Sequence, residues 1–163
     1  RKHMHKVIYG CTLLFASSIA NAELLINSPV QVCDILVTQG LSTRGWIDNY
    51  GYGCSSNYKE IGIGSPLANN IAYYADGNAN SVNQAKLVLN VNNKSQQKKA
   101  ISELINSSGL LSKKLAGEEL PQNLTKSIKK GKQATEVVGK TTIEVTRDEW
   151  PSGNGYEIHV IFK

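Results

Sequence analysis

Residues 70–91 constrain the fold more than any other stretch of this chain. Asn70-Ile71-Ala72-Tyr73-Tyr74-Ala75-Asp76 is followed by the turn residues Gly77-Asn78-Ala79-Asn80, and a second run extends from Ser81 to Val91. In that second run Leu87, Leu89 and Val91 fall on one face, while Lys86 and Asn90 fall on the other. A period of two is the mark of a half-buried strand, so the stretch reads as a hairpin. Tyr73 and Tyr74 are consecutive and must point to opposite faces of their strand. On a sheet covered from one side only, one of the two leaves the core.

The first residues, Arg1-Lys2-His3-Met4-His5-Lys6, are basic, and a mostly apolar run follows from Val7 to Ile19. The run ends in Ala20-Asn21-Ala22, a small-x-small pattern. That is the layout of a secretory signal peptide, with cleavage expected after Ala22 and a mature domain spanning 23–163. The apolar run falls short of the ~20 residues that cross a bilayer, so no membrane insertion is expected once the leader is removed. Cys11 sits inside this run, close behind Lys6, and reads as one of its apolar residues rather than a lipid-attachment site. The expected location is periplasmic or secreted.

The leader also distorts the charge balance. The chain carries 18 Lys and Arg against 13 Asp and Glu, a net +5. Without Arg1, Lys2 and Lys6 the balance is 15 against 13, or +2. Most of the electrostatic case for a nucleic-acid partner disappears with that change. The remaining cluster, Lys126, Lys129, Lys130 and Lys132, reads as a solvated helix C-terminus complementing the macrodipole.

Two cysteines remain after the leader, Cys33 and Cys54, and only one pairing is open to them. In an oxidising space a structural disulfide is the economical reading. The intervening loop is about twenty residues, for which chain entropy gives ~3 kcal/mol.

The remaining elements follow in order. Ser28-Pro29 starts helix A, with Val30, Cys33, Leu36 and Val37 on its buried side and Gly40 as its stop. A strand is expected somewhere in 52–62. After the hairpin, Ala100, Ile101, Leu104, Ile105, Leu111 and Leu115 mark an amphipathic helix B over 95–116, weakened at Ser107-Ser108-Gly109. Pro121 opens a short helix C closed by Gly131. Residues 135–138 and 141–147 flank the turn Gly139-Lys140, 148–155 form a loop, and Tyr156 to Phe162 alternate as a last strand. The order is αβββ-αα-βββ, and the expected fold is α+β: a single antiparallel sheet of about five to six strands with helices packed on one face.

The chemistry is sparse. The mature chain has one histidine, His159, placed mid-strand on the wet face beside Glu157 and Lys163. A hydrolase triad and a structural zinc site both need more than that, so no metal and no cofactor are expected. Phosphate-loop, nucleophile-elbow and calcium-loop motifs are absent from the sequence. An envelope enzyme using distant acids such as Asp48, Glu60 or Asp148 is the alternative reading. The element order also resembles that of type III secretion chaperones, a likeness of topology alone.

Two features suggest recognition. Six of nine mature aromatics (Trp46, Tyr50, Tyr52, Tyr58, Tyr73, Tyr74) lie within 46–74, interleaved with glycines. Trp150-Pro151 sits in the 148–155 loop, where it can anchor a partner. The expected function is therefore non-enzymatic: binding a protein partner, as an inhibitor, immunity protein or envelope adapter does. Trp46, Tyr50, Tyr52, Tyr74 and Trp150 are the candidate contact residues.

Overall fold

The structure, a computed structural model, describes residues 22–65 and 67–163. The expected leader falls on 1–22, so all of it but Ala22 lies outside the described residues. Five strands precede the central helices: β1 (Ile47–Asp48), β2 (Tyr52–Ser55), β3 (Lys59–Ile61), β4 (Asn69–Gly77) and β5 (Val82–Val91). Three follow them: β6 (Ala134–Val138), β7 (Thr141–Glu149) and β8 (Tyr156–Phe162). The helices are α1 (Pro29–Cys33), α2 (Gln97–Leu111) and α3 (Gln122–Lys130). The fold is α+β with one antiparallel sheet, in the order β1-β2-β4-β5-β8-β7-β6, with β3 also paired to β4.

The sheet has eight strands, more than the five or six expected. The extra strands come from residues 44–62, and a single serine explains the subdivision. Ser56 N–H donates to the Tyr73 carbonyl at 2.9 Å. Tyr73 N–H, in turn, donates to Ser56 Oγ at 2.9 Å. A side-chain oxygen thus stands where a main-chain carbonyl would continue the ladder. The chain kinks there, and one expected strand becomes β2 and β3.

The β4–β5 hairpin forms as its pattern requires, with Tyr73 opposite Leu87 and Tyr74 opposite Lys86. Its turn is closed by Asn78, whose Oδ1 accepts from the N–H groups of Asn80 and Ser81 at 2.9 and 3.0 Å. Gly77 is required there, since a Cβ would lie 2.1 Å from the Ser81 carbonyl oxygen. Strand β8 pairs with both β5 and β7, joining the C-terminal strands to the hairpin.

All the helices lie on one side of the sheet. Leu104, Leu111, Leu115, Leu124 and Ile128 pack against Leu87, Leu89, Val145, Ile158 and Val160, all at most 1% exposed. Helix α2 runs through Gly109 without a break and continues as a π turn over Ser112–Ala116. A mid-helix glycine costs ~1 kcal/mol, whereas each buried leucine contributes about 1.5–3 kcal/mol, so packing overrides propensity. Gly117 ends the helix in the left-handed region at φ 77°.

Helix A is shorter than its pattern suggests. It stops at Cys33, and a 3-10 turn over Val37–Gln39 leads to Gly40. The buried residues are Val32, Cys33 and Leu36, while Val30 and Val37 are exposed. A five-residue helix does not hold its phase long enough to present one stripe. The segment is tied instead by the Cys33–Cys54 disulfide and by the Tyr73 hydroxyl, which donates to the Val32 carbonyl at 2.8 Å. At the far end, β7 reaches Glu149, so Asp148 and Glu149 belong to a strand rather than to the loop. None of the described helices is long and apolar enough to cross a membrane.

Candidate functional site

Strand alternation leaves a second face that no helix among the described residues covers. It carries Ala72, Tyr74 and Asp76 from β4, and Gln84, Lys86, Val88 and Asn90 from β5. Strands β8 and β7 add Glu157, His159 and Ile161 opposite Asp148, Thr146 and Glu144. Ala72 and Val88 are buried yet stand outside the main core cluster, so larger neighbours on this open face shield them.

At one end of the open face, residues 44–55, paired along the β4 edge of the sheet, border an open cavity of about 490 Å³. Arg44, Ile47, Asn49, Tyr74, Asp76 and Lys86 help line it. Its only carboxylate among these, Asp76, accepts from Gln84 Nε2 at 3.1 Å. Arg44 Nη2 donates to Asn57 Oδ1 at 3.0 Å, which holds the guanidinium at the rim. Lys86 Nζ lies 5.5 Å from the centre of the Tyr74 ring, within cation–π range. The cavity therefore presents two cations and two tyrosines, Tyr52 and Tyr74, against one carboxylate already engaged by an amide.

Tyr74 links the cavity to the middle of the face. The kink at Ser56 brings Tyr58 alongside, with the two hydroxyl oxygens 3.5 Å apart, a long contact. Burial pushes the Tyr74 phenol up to about 12, helped by the Tyr58 hydroxyl and by the negative charge of Glu157. Tyr73, its neighbour in sequence, is fully buried on the helix side, and burial raises its phenol well above the ordinary range.

At the other end, Asp148 on β7 stands directly opposite Glu157 on β8, and His159 follows two residues on, on the same face. One ligand atom from each of the three lies within 4.8 Å of the others. His159 Nε2 and Glu157 Oε2 are 2.8 Å apart. The alternation of Tyr156–Phe162 places Glu157 and His159 together, but finding Asp148 beside them needs the β7–β8 register. Reading 148 as loop hid that pairing.

The five candidate contact residues do not form one patch. Tyr52 and Tyr74 line the cavity. Tyr50 is at the tip of the β1–β2 turn, fully exposed, with φ at 58°. Trp46 is half-buried against the core, and its indole N–H has no hydrogen-bond partner. Trp150 folds back over its own loop, since a Cβ on Gly155 would meet its ring at 2.4 Å. Its N–H donates to the Gly155 carbonyl at 3.1 Å.

The acids Asp48, Glu60 and Asp148 do not converge either. They sit on β1, β3 and β7, and four strands separate β1 from β7 in the sheet order. At ~4.8 Å per strand that is about 24 Å, and Glu60 is about 19 Å from Asp148. A carboxylate pair acting on a glycosidic bond stands ~5–9 Å apart. No protein-family model, no curated protein and no solved structure matches this chain.

Proposed function

We propose that this is an exported, non-enzymatic protein that binds another protein through the open sheet face and the β1–β2 hairpin at its edge. The observation that carries the reading is the cavity that Tyr74, Lys86 and Arg44 line on the face that no described helix covers. Its charge favours a partner that inserts an acidic side chain between Arg44 and Lys86, with Tyr74 as the rigid aromatic floor. Tyr50 at the hairpin tip adds exposed aromatic surface beside it.

Export rests on the layout of the leader and on the disulfide, which belongs in an oxidising compartment. The first residues of the expected mature chain are held in the fold. Glu23 N–H donates to the Lys140 carbonyl at 2.9 Å, and Leu24 is buried. In the periplasm such a protein would serve as an inhibitor, an immunity protein or an envelope adapter.

Capture from envelope extract tests the reading when the wild type is run beside an Arg44→Glu, Lys86→Glu double variant of matched melting temperature. A defined species should be retained by the wild type and lost to the variant. It should elute in 1 M salt, where the screening length is about 3 Å. Equal retention by both proteins, or no retention by the wild type, overturns it.

A further inference from the structure

We infer that Asp148, Glu157 and His159 form a binding site for a divalent first-row transition-metal ion, with water completing its coordination. This inference stands on residues other than those lining the proposed protein-binding cavity, although the charge of Glu157 reaches Tyr74.

Geometry comes first. Asp148 and Glu157 are direct cross-strand partners, and His159 is two residues from Glu157 on the same face. The three donor atoms already lie within 4.8 Å of one another. Metal–ligand bonds of about 2.0–2.2 Å can be reached from there by side-chain rotation, with no movement of the strands. Strand β8 is held on both sides, by β5 and β7, so the donors stand on a rigid frame.

Charge points the same way. Like charges directly opposite each other on neighbouring strands repel. Among the described residues, no Lys or Arg pairs with Asp148 or Glu157. Arg147 alternates onto the other side of the sheet, over the Tyr156 ring and against Glu149, and Lys163, six residues along from Glu157, pairs with Glu144. Among the described residues, the Glu157 carboxylate is partnered by His159 Nε2 at 2.8 Å. A divalent ion would neutralise both carboxylates at once.

The donor set selects the metal. One imidazole with two carboxylates suits zinc, iron, cobalt or nickel better than magnesium or calcium, which prefer oxygen alone. Three protein donors leave at least one position to water. The ion takes the place of the proton between His159 Nε2 and Glu157 Oε2. A neutral imidazole then carries its proton on Nδ1, whereas an imidazolium releases one proton to solvent. Asn90 and Thr146, cross-strand neighbours of Glu157 and His159, supply polar groups around the site.

Calorimetric titration of the full chain with zinc chloride tests this, alongside His159→Gln and Asp148→Asn. The wild type should bind one ion per chain, and its melting temperature should rise with zinc. Each variant should bind more than about tenfold more weakly and lose the thermal shift. Cobalt absorption in the visible range gives a second readout, expected for the wild type and lost in His159→Gln. Both variants keep His3 and His5, so binding at those residues would persist in them. Absence of binding at millimolar zinc, or binding that both substitutions leave unchanged, overturns the inference.

Discussion

One face of the sheet is buried under helices, and the other is open, yet both contain residues out of contact with water. On the helix side burial is collective: Leu87, Leu89, Ile158 and Val160 are wholly enclosed by leucines from three helical segments. On the open side burial is local, limited to small or short residues such as Ala72 and Val88 beneath tyrosine and histidine neighbours. Tyr73 and Tyr74 make the contrast within one dipeptide. The first is fully enclosed and hydrogen-bonded to a helix carbonyl, and the second is half-exposed beside Lys86. Stability and recognition are thus separable by strand alternation, one residue at a time.

Substitutions on alternate positions break or sharpen that separation. Leu87→Ala should destabilise by about 2–5 kcal/mol in denaturant unfolding, because it opens a cavity in the enclosed face. The Cys33→Ser, Cys54→Ser pair should cost about 3 kcal/mol by the same measurement, by freeing α1 from β2. Tyr73→Phe should cost about 1–3 kcal/mol, because it leaves the Val32 carbonyl buried without its donor. Lys86→Ala, next door to Leu87 but on the open face, should stay within about 0.5 kcal/mol of the wild type. A loss at Lys86 comparable to that at Leu87 would refute the two-face division.

A further expected effect appears only in alkaline solution. The folded Tyr74 phenol ionises at about 12, against 10.0 for an ordinary tyrosine. A raised folded value means its contribution to stability is intact below pH 10 and fades as the pH climbs through about 12. Stability measured across that window should fall less steeply in Tyr74→Phe than in the wild type. An unchanged slope would remove the phenol from the open-face network.

Much of the fold was legible where a pattern repeats locally. The alternation of Leu87, Leu89 and Val91 located β5, and that of Tyr156, Ile158, Val160 and Phe162 located β8. Gly117 and Gly131 ended their helices in the left-handed region. The 44–62 segment was not legible, because its strands are two to four residues long and its kink depends on a hydrogen bond from the distant Tyr73 N–H to Ser56 Oγ. The extent of helix A was misread because tertiary ties, not periodicity, hold it. The candidate sites were legible only in part. Tyr74 stands out from the Tyr73-Tyr74 dipeptide, but Arg44 and Lys86 line one cavity only through the pairing of residues 44–55 along the β4 edge, and Asp148 meets His159 only through strand register.

Hydroxyl-radical footprinting of the tyrosines, free and after capture of the partner, tests the division most directly. Tyr50, Tyr58 and Tyr74 should be oxidised in the free protein while Tyr73 is spared, and capture should protect Tyr74. Oxidation of Tyr73 as fast as Tyr74, or a Tyr74 rate unchanged by capture, would contradict the assignment of folding to one face and binding to the other.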